Sequence, residues 1–310
     1  MGWFERFKES STELGIATCR RELALMEHIH RCEIYNHLAI ERLTEKSEAL
    51  NLLLEESLRD WNQTLYLMLF RTIGDLQNRE LFLEIGRRTS YHMIQRERPS
   101  QLRIEAILFG TASLLGGCRD DDYTRQLKAE FEHLSQKYSI EPIDPKEWRI
   151  NRLRPANHPR LRLAQIATFL NRQEFVIDKV LECRERADVE RLFSIEASQY
   201  WSSYYNPSQS TSHTTKRLGE EKSNMIGINL VAVMQFLYGK LSGQEDMMRR
   251  AIDLWERLSA EHNRYTKPWE SDGVVTLNAF ESQALLQLSR KYCDHKLCTK
   301  CPLGRRLLKK

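Results

Sequence analysis

Residues 38–70, LAIERLTEKSEALNLLLEESLRDWNQTLYLMLF, decide the fold class. Leu43, Leu50, Leu54, Leu58, Trp61, Leu65 and Met68 recur at intervals of seven, four and three, which puts them on one helical face. No segment sustains a period of two, so β structure is expected to be minor.

Working outward, the same grammar repeats. Asn78 is placed to cap a helix ending at Gly86, and Ser100 one that stops at the Gly116-Gly117 pair. Asp121 or Asp122 opens a helix to about Tyr138, and the cluster Asp120–Asp122 reads as its cap, favoured by the helix dipole. Pro142 and Pro145 then forbid continuation. Helices resume near Pro159. NPSQSTSHTT, residues 206–215, reads as a mobile polar loop. Met225–Lys240 reads as an apolar helix, Ser242 with Glu245 as a capping box for the next, and Thr276 to Tyr292 as a last long helix. The expected architecture is all-α: a multi-helix bundle or helical array with a short C-terminal cysteine-rich tail. Its expected division is an N-terminal helical subdomain, 1–145, a C-terminal one, 146–292, which is separate or continuous with the first, and the tail, 293–310.

Composition agrees. The 310 residues include only 13 glycines and 8 prolines, fewer than the roughly 12% of average usage, which disfavours turn-rich β folds. A hydrophobic share of 41% excludes global disorder. The run Met225–Gly239 is broken by Asn229 and Gln235 and falls short of the roughly 20 apolar residues of a membrane span. It reads as a buried helix, with no membrane partner. The charged start of the chain is unlike a secretory signal, and seven cysteines, an odd number, do not form an evident disulfide framework, so the cytoplasm is the expected compartment. No Walker loop, GxGxxG, HExxH or GxSxG is present.

The net charge of +4 conceals two basic segments. Residues 148–173 carry +6 and residues 289–310 carry +7, leaving −9 for the rest. The first segment holds Arg149, Arg152, Arg154, Arg160, Arg162 and Arg172 without one acidic residue. Guanidinium forks suit phosphate or carboxylate, and Asn157 and His158 add polar groups just before Pro159. The segment is expected either to bind an anion through Arg149, Arg152, Arg154, Asn157, His158, Arg160 and Arg162, or to tie helices together through internal ion pairs. The second segment, YCDHKLCTKCPLGRR, spaces Cys293, Cys298 and Cys301 as Cys-x4-Cys-x2-Cys. Three thiols within nine residues can converge on zinc or an iron–sulfur cluster, with His295 or a remote cysteine such as Cys32 as fourth ligand, or can remain reduced thiols.

Several stretches together resemble a known family. They are LAIERLTEKSEAL (38–50), IEAILFGTASLL (104–115), PIDPKEWRINRLRPANHPRLRLAQIA (142–167), YWSSYY (200–205), MIGINLVAVMQFLYGK (225–240) and SQALLQLSRKYCDHKLCTKCPLG (282–304). In order and spacing they resemble a bacterial domain-of-unknown-function family, number twenty-eight fifty-one. The resemblance implies no activity. It implies that longer members carry an N-terminal half with Gly-Pro-Asp-Phe and Glu-x-His elements similar to the acidic core of a PD-(D/E)XK nuclease fold. This sequence has neither element, so it is expected to match the helical C-terminal half, and no nuclease residue transfers to it.

Two functions follow as expectations. The first is a nucleic-acid or polyanion-binding accessory module, with nucleic acid or a nuclease-like protein as partner. The second is a structural or interaction protein with internal arginine ion pairs and a structural metal or none. No activated nucleophile or paired carboxylate argues for an enzyme.

Overall fold

A computed structural model describes residues 13–74, 76–118, 120–151, 153–174, 176–206, 209–210 and 214–308. The fold is all-α. Besides helices, the described residues contain one two-stranded antiparallel ribbon, Tyr204–Asn206 with Gln209–Ser210. Parts of the polar loop expected at 206–215, residues 207–208 and 211–213, lie outside the described residues.

The period that runs through residues 43–68 is shared between two helices, His28–Glu56 and Trp61–Ile73. Leu58 and Arg59 between them take left-handed φ angles of 53° and 62°. The Asp60 carboxylate accepts the backbone N–H groups of Asn62 at 2.8 Å and Gln63 at 3.0 Å, which caps the second helix. Leu43, Leu50, Leu54 and Leu65 are buried as expected, but Leu58 is 92% exposed. An N-cap carboxylate therefore overrides a leucine that fits the hydrophobic period.

The chain divides into two compact units. One comprises Met1–Asn51, Arg184–Arg186 and Ala232–Lys310, the other Leu52–Cys183 and Ala187–Val231. Residues far apart in sequence thus share the first unit.

In the first unit, Ala232–Ser242 and Glu245–Arg257 form a close helix pair. Gly239 permits the approach, since a Cβ there would stand 2.8 Å from the Gln244 carbonyl oxygen. The capping box expected from Ser242 and Glu245 does not form. Ser242 ends its own helix and donates to the Tyr238 carbonyl, and Gln244 takes the N-cap position of the next. Glu41 on the first long helix accepts from Lys291 Nζ at 2.8 Å and Tyr292 Oη at 2.9 Å. Alongside, half-buried Arg42 donates to Gln283, which donates to Glu261. Desolvation lowers the Arg42 guanidinium to about 10.

In the second unit, Gln101–Thr111 packs against both Asp122–Tyr138 and Pro159–Arg172. Ser100 and Asp121 cap the first two of these helices, as their sequence positions predict. Asn78 stands at the start of Arg79–Arg88, two residues longer than expected, but makes no side-chain cap there. The third helix is buried at every position from Pro159 to Leu170, as in the core helices of larger proteins.

Glu97 in this unit is only 3% exposed. Its carboxylate accepts from Lys137 Nζ at 2.6 Å, Tyr138 Oη at 2.5 Å and Arg103 Nη1 at 3.1 Å. Burial alone would raise its proton affinity, but these three donors outweigh that and hold it below the usual carboxylate range. Its stabilisation is therefore complete above the unfolded value and disappears as pH falls through the folded one. Glu97→Gln is expected to cost about 1–3 kcal/mol at pH 7. Urea midpoints of the two proteins should converge in acid, where wild-type Glu97 is itself protonated.

The helix Glu220–Ser242 contains a π turn at Gly227–Val231. It is long and apolar enough to cross a membrane by length and composition, but 67% of its most apolar window is buried within the protein.

Candidate functional site

The arginine segment begins where Asn78 grips the backbone. The Asn78 amide donates to the Arg149 carbonyl and accepts the Arg149 N–H, both at 3.0 Å. Trp148 donates its indole N–H to the Ala112 carbonyl at 2.8 Å. So anchored, the chain runs through the turn Pro155–Asn157 into the helix that starts at Pro159. Arg149 and Arg154 are exposed. Arg152 lies outside the described residues.

Arg160 and Arg162 are only 9% and 7% exposed. Arg160 donates from Nε to the Leu114 carbonyl at 2.8 Å and from Nη2 to the Gly116 carbonyl at 2.7 Å. It stitches the turn after Thr111 to the buried helix. Arg162 donates to Gln165 Oε1 at 2.9 Å and Asn157 Oδ1 at 2.7 Å. Gln165 in turn donates to the carbonyl of buried Lys216, whose Nζ reaches Thr214 Oγ1 at 2.8 Å. These bonds run to backbone and amide oxygens, so they differ from the carboxylate pairs of the second expectation. Arg172 pairs with Glu196 at 3.2 Å, at the surface. His158 caps the helix by accepting the Arg160 N–H at Nδ1. Burial, then the nearby Arg160 charge, pushes the imidazole down to about 4, so at neutral pH it is an uncharged acceptor.

Beside this segment stands an aromatic ladder. The ring of Tyr200 stacks on Tyr123 at 3.8 Å between centroids and 22°, and on Tyr204 at 4.8 Å and 19°. All three side chains are half-buried. Tyr204 opens the short ribbon, which packs against both the Pro155–Asn157 turn and the Pro159–Arg172 helix. The exposed polar turn and the stacked rings therefore belong to one neighbourhood of the second unit.

The ladder is held from behind. Trp201 is fully buried, lies parallel to Phe109 with centroids 5.4 Å apart, and donates its indole N–H to Tyr123 Oη at 3.1 Å. Tyr123 donates onward to buried Glu105 at 2.8 Å. Desolvation raises the Glu105 carboxyl above its ordinary value despite its hydrogen bonds from Tyr123 and Gln101. Tyr200 donates to Asp121 at 2.9 Å, giving that cap residue a second task. Its neighbours Asp120 and Asp122 pair with Arg125 at 3.2 and 2.5 Å. The apolar recess bounded by Leu65, Tyr66, Tyr91, Phe169 and Phe193 does not include His158.

The sequence reading missed the ladder as a site. Its signal was present in YWSSYY, where four of six residues are aromatic, but Tyr123 stands far away in sequence.

The cysteine segment belongs to the first unit. Cys293 closes the π turn Leu288–Cys293, Cys298 lies in the following loop, and Cys301 precedes the helix Pro302–Leu307. The Gly304 N–H donates to Cys301 Sγ at 3.4 Å. His295 is exposed, and Cys32 Sγ sits 3.6 Å from the His28 ring. Among the described residues, no three His, Cys, Asp or Glu side chains are gathered as a finished metal cage.

Compared with known proteins, residues 3–264 match the family model described as "Protein of unknown function (DUF2851)". No curated protein and no solved structure matches the chain.

Proposed function

The chain belongs to the DUF2851 family of proteins of unknown function, and from that premise we propose that it is a nucleic-acid-binding accessory module whose second unit takes single strands. The observation that carries this reading is the Tyr123–Tyr200–Tyr204 stack beside the turn bearing Arg154 and Asn157. Single-strand binders combine cations for the phosphates with aromatic faces for the bases, which gives affinity without strict sequence preference. Arg154, at the start of the turn that touches the ribbon, supplies exposed charge beside the ladder, and Arg149 adds exposed charge earlier in the segment. Arg160 and Arg162 act from within, fixing the 114–116 turn and Asn157.

Fluorescence anisotropy with labelled single-stranded DNA and RNA, at low and high salt, tests the reading. Tyr204→Ala is expected to weaken binding by about 5- to 150-fold, the usual worth of one base–aromatic stack. Arg154→Glu should weaken all sequences alike and flatten the salt dependence. Absence of binding at low salt would sink the proposal. Equal binding of heparin, unaffected by Tyr204→Ala, would reduce it to a general polyanion surface.

A second reading, an interaction protein with no nucleic-acid ligand, draws support from the burial of Arg160 and Arg162. The same titration separates the two.

A further inference from the structure

We propose that Cys19, Cys293, Cys298 and Cys301 are the four thiolate ligands of one thiophilic metal centre, either zinc or an iron–sulfur cluster. The three tail cysteines are adjacent in sequence. Cys19 is not, and it reaches them through the fold, because the helix Glu13–Leu25 packs against Pro302–Leu307. Cys19 is near enough to Cys298 and Cys301 to feel their charge. Cys293 likewise feels Cys19, Cys298 and Cys301. The helix contact and the fold-back at Gly304 thus bring the four residues, all half-buried or buried, to one part of the first unit.

The remaining cysteines are placed elsewhere. Cys32 contacts His28, Cys118 reaches the Leu114 carbonyl and Cys183 the Lys179 carbonyl.

The loop that presents the tail cysteines is tightly made. Lys296 adopts a left-handed φ of 54°. Leu297 N–H donates to the Tyr292 carbonyl at 2.8 Å, and Cys301 N–H to the Leu297 carbonyl at 3.0 Å. At Gly304 a Cβ would stand 2.2 Å from the Cys298 carbonyl oxygen, so only glycine lets the chain fold back there. That fold brings the Gly304 N–H onto Cys301 Sγ, a bond that favours thiolate.

The charge also fits. A tetrathiolate zinc site carries a formal charge of about −2. The surrounding segment 289–310 carries +7, and Arg20 favours the ionised forms of both Cys19 and Cys293. Thiolate ligation releases the thiol protons as the metal binds, so metal affinity should rise with pH. Among the described residues no group of three ligating side chains already stands placed to hold a metal ion, so metal binding must itself draw the four sulfurs together.

The test is elemental analysis and visible absorption of the full chain purified without oxygen. The expected result is either about one zinc per chain or iron with acid-labile sulfide and a broad visible charge-transfer band. Cys19→Ala and Cys298→Ala should each reduce the metal to background, while Cys32→Ala and Cys183→Ala keep it. Should Cys19→Ala fail to fold, cobalt titration of reduced wild-type protein replaces it, and the intense visible bands of tetrahedral tetrathiolate cobalt are expected. Wild-type protein that holds no zinc, iron or cobalt, as isolated or after reconstitution under reduction, overturns the proposal. Full metal content in folded Cys19→Ala overturns it as well, because the fourth ligand would then be another group.

Discussion

Trp201→Ala is expected to destabilise the second unit by about 3–5 kcal/mol, the range found when a large buried aromatic is truncated. Three losses coincide. The indole is fully buried, so a cavity remains. Its parallel contact with Phe109 disappears. Tyr123 loses the donor behind its hydroxyl, and with it one restraint on the stack. Chemical denaturation followed by circular dichroism measures the first effect. Trp201→Phe separates the terms: it refills much of the cavity but cannot donate to Tyr123. Its cost should fall to about 1–2 kcal/mol, the worth of one buried hydrogen bond and imperfect packing. A Trp201→Ala protein as stable as wild type would mean that the ladder has no support from behind.

Arg160→Ala should cost about 2–4 kcal/mol, because the Leu114 and Gly116 carbonyls lose their buried donor together. Arg154→Ala, six residues earlier and exposed, should remain within about 0.5 kcal/mol of wild type. The contrast divides one arginine-rich segment into a surface part and a core part. On heating, Arg160→Ala should melt roughly 5–15 °C lower. If Arg160→Ala left stability intact and abolished ligand binding, the guanidinium would be a contact residue instead of a brace. Arg160→Lys is a useful companion. A single ammonium cannot reproduce the fork that spans the two carbonyls, so it should recover only part of the loss.

Much of the fold was legible because helices announce themselves locally. Ser100, Asp121 and Pro159 stand at the helix starts that their chemistry predicts. The failures were local competitions whose outcome depends on backbone geometry. Asp60 won against Leu58, and Gly243, with φ of 69°, ended a helix before Ser242 could cap the next. The arginines were harder still. Density of charge marked residues 148–173, but burial of Arg160 depends on carbonyls at 114 and 116, which no spacing rule connects to it. The ladder and Cys19 share that obstacle. Each joins residues remote in sequence, and a single chain read in order carries no signal of such meetings.

The discontinuity of the first unit bears on the order in which the protein is made. Residues 52–183 and 187–231 leave the ribosome as nearly one continuous run, and the second unit can condense once they have emerged. The helix holding Cys19 is synthesised first, yet its partner, Pro302–Leu307, comes last. Contacts closed over such long stretches of chain form slowly. The second unit is therefore expected to form before the first, whose segments are separated by most of it in the chain.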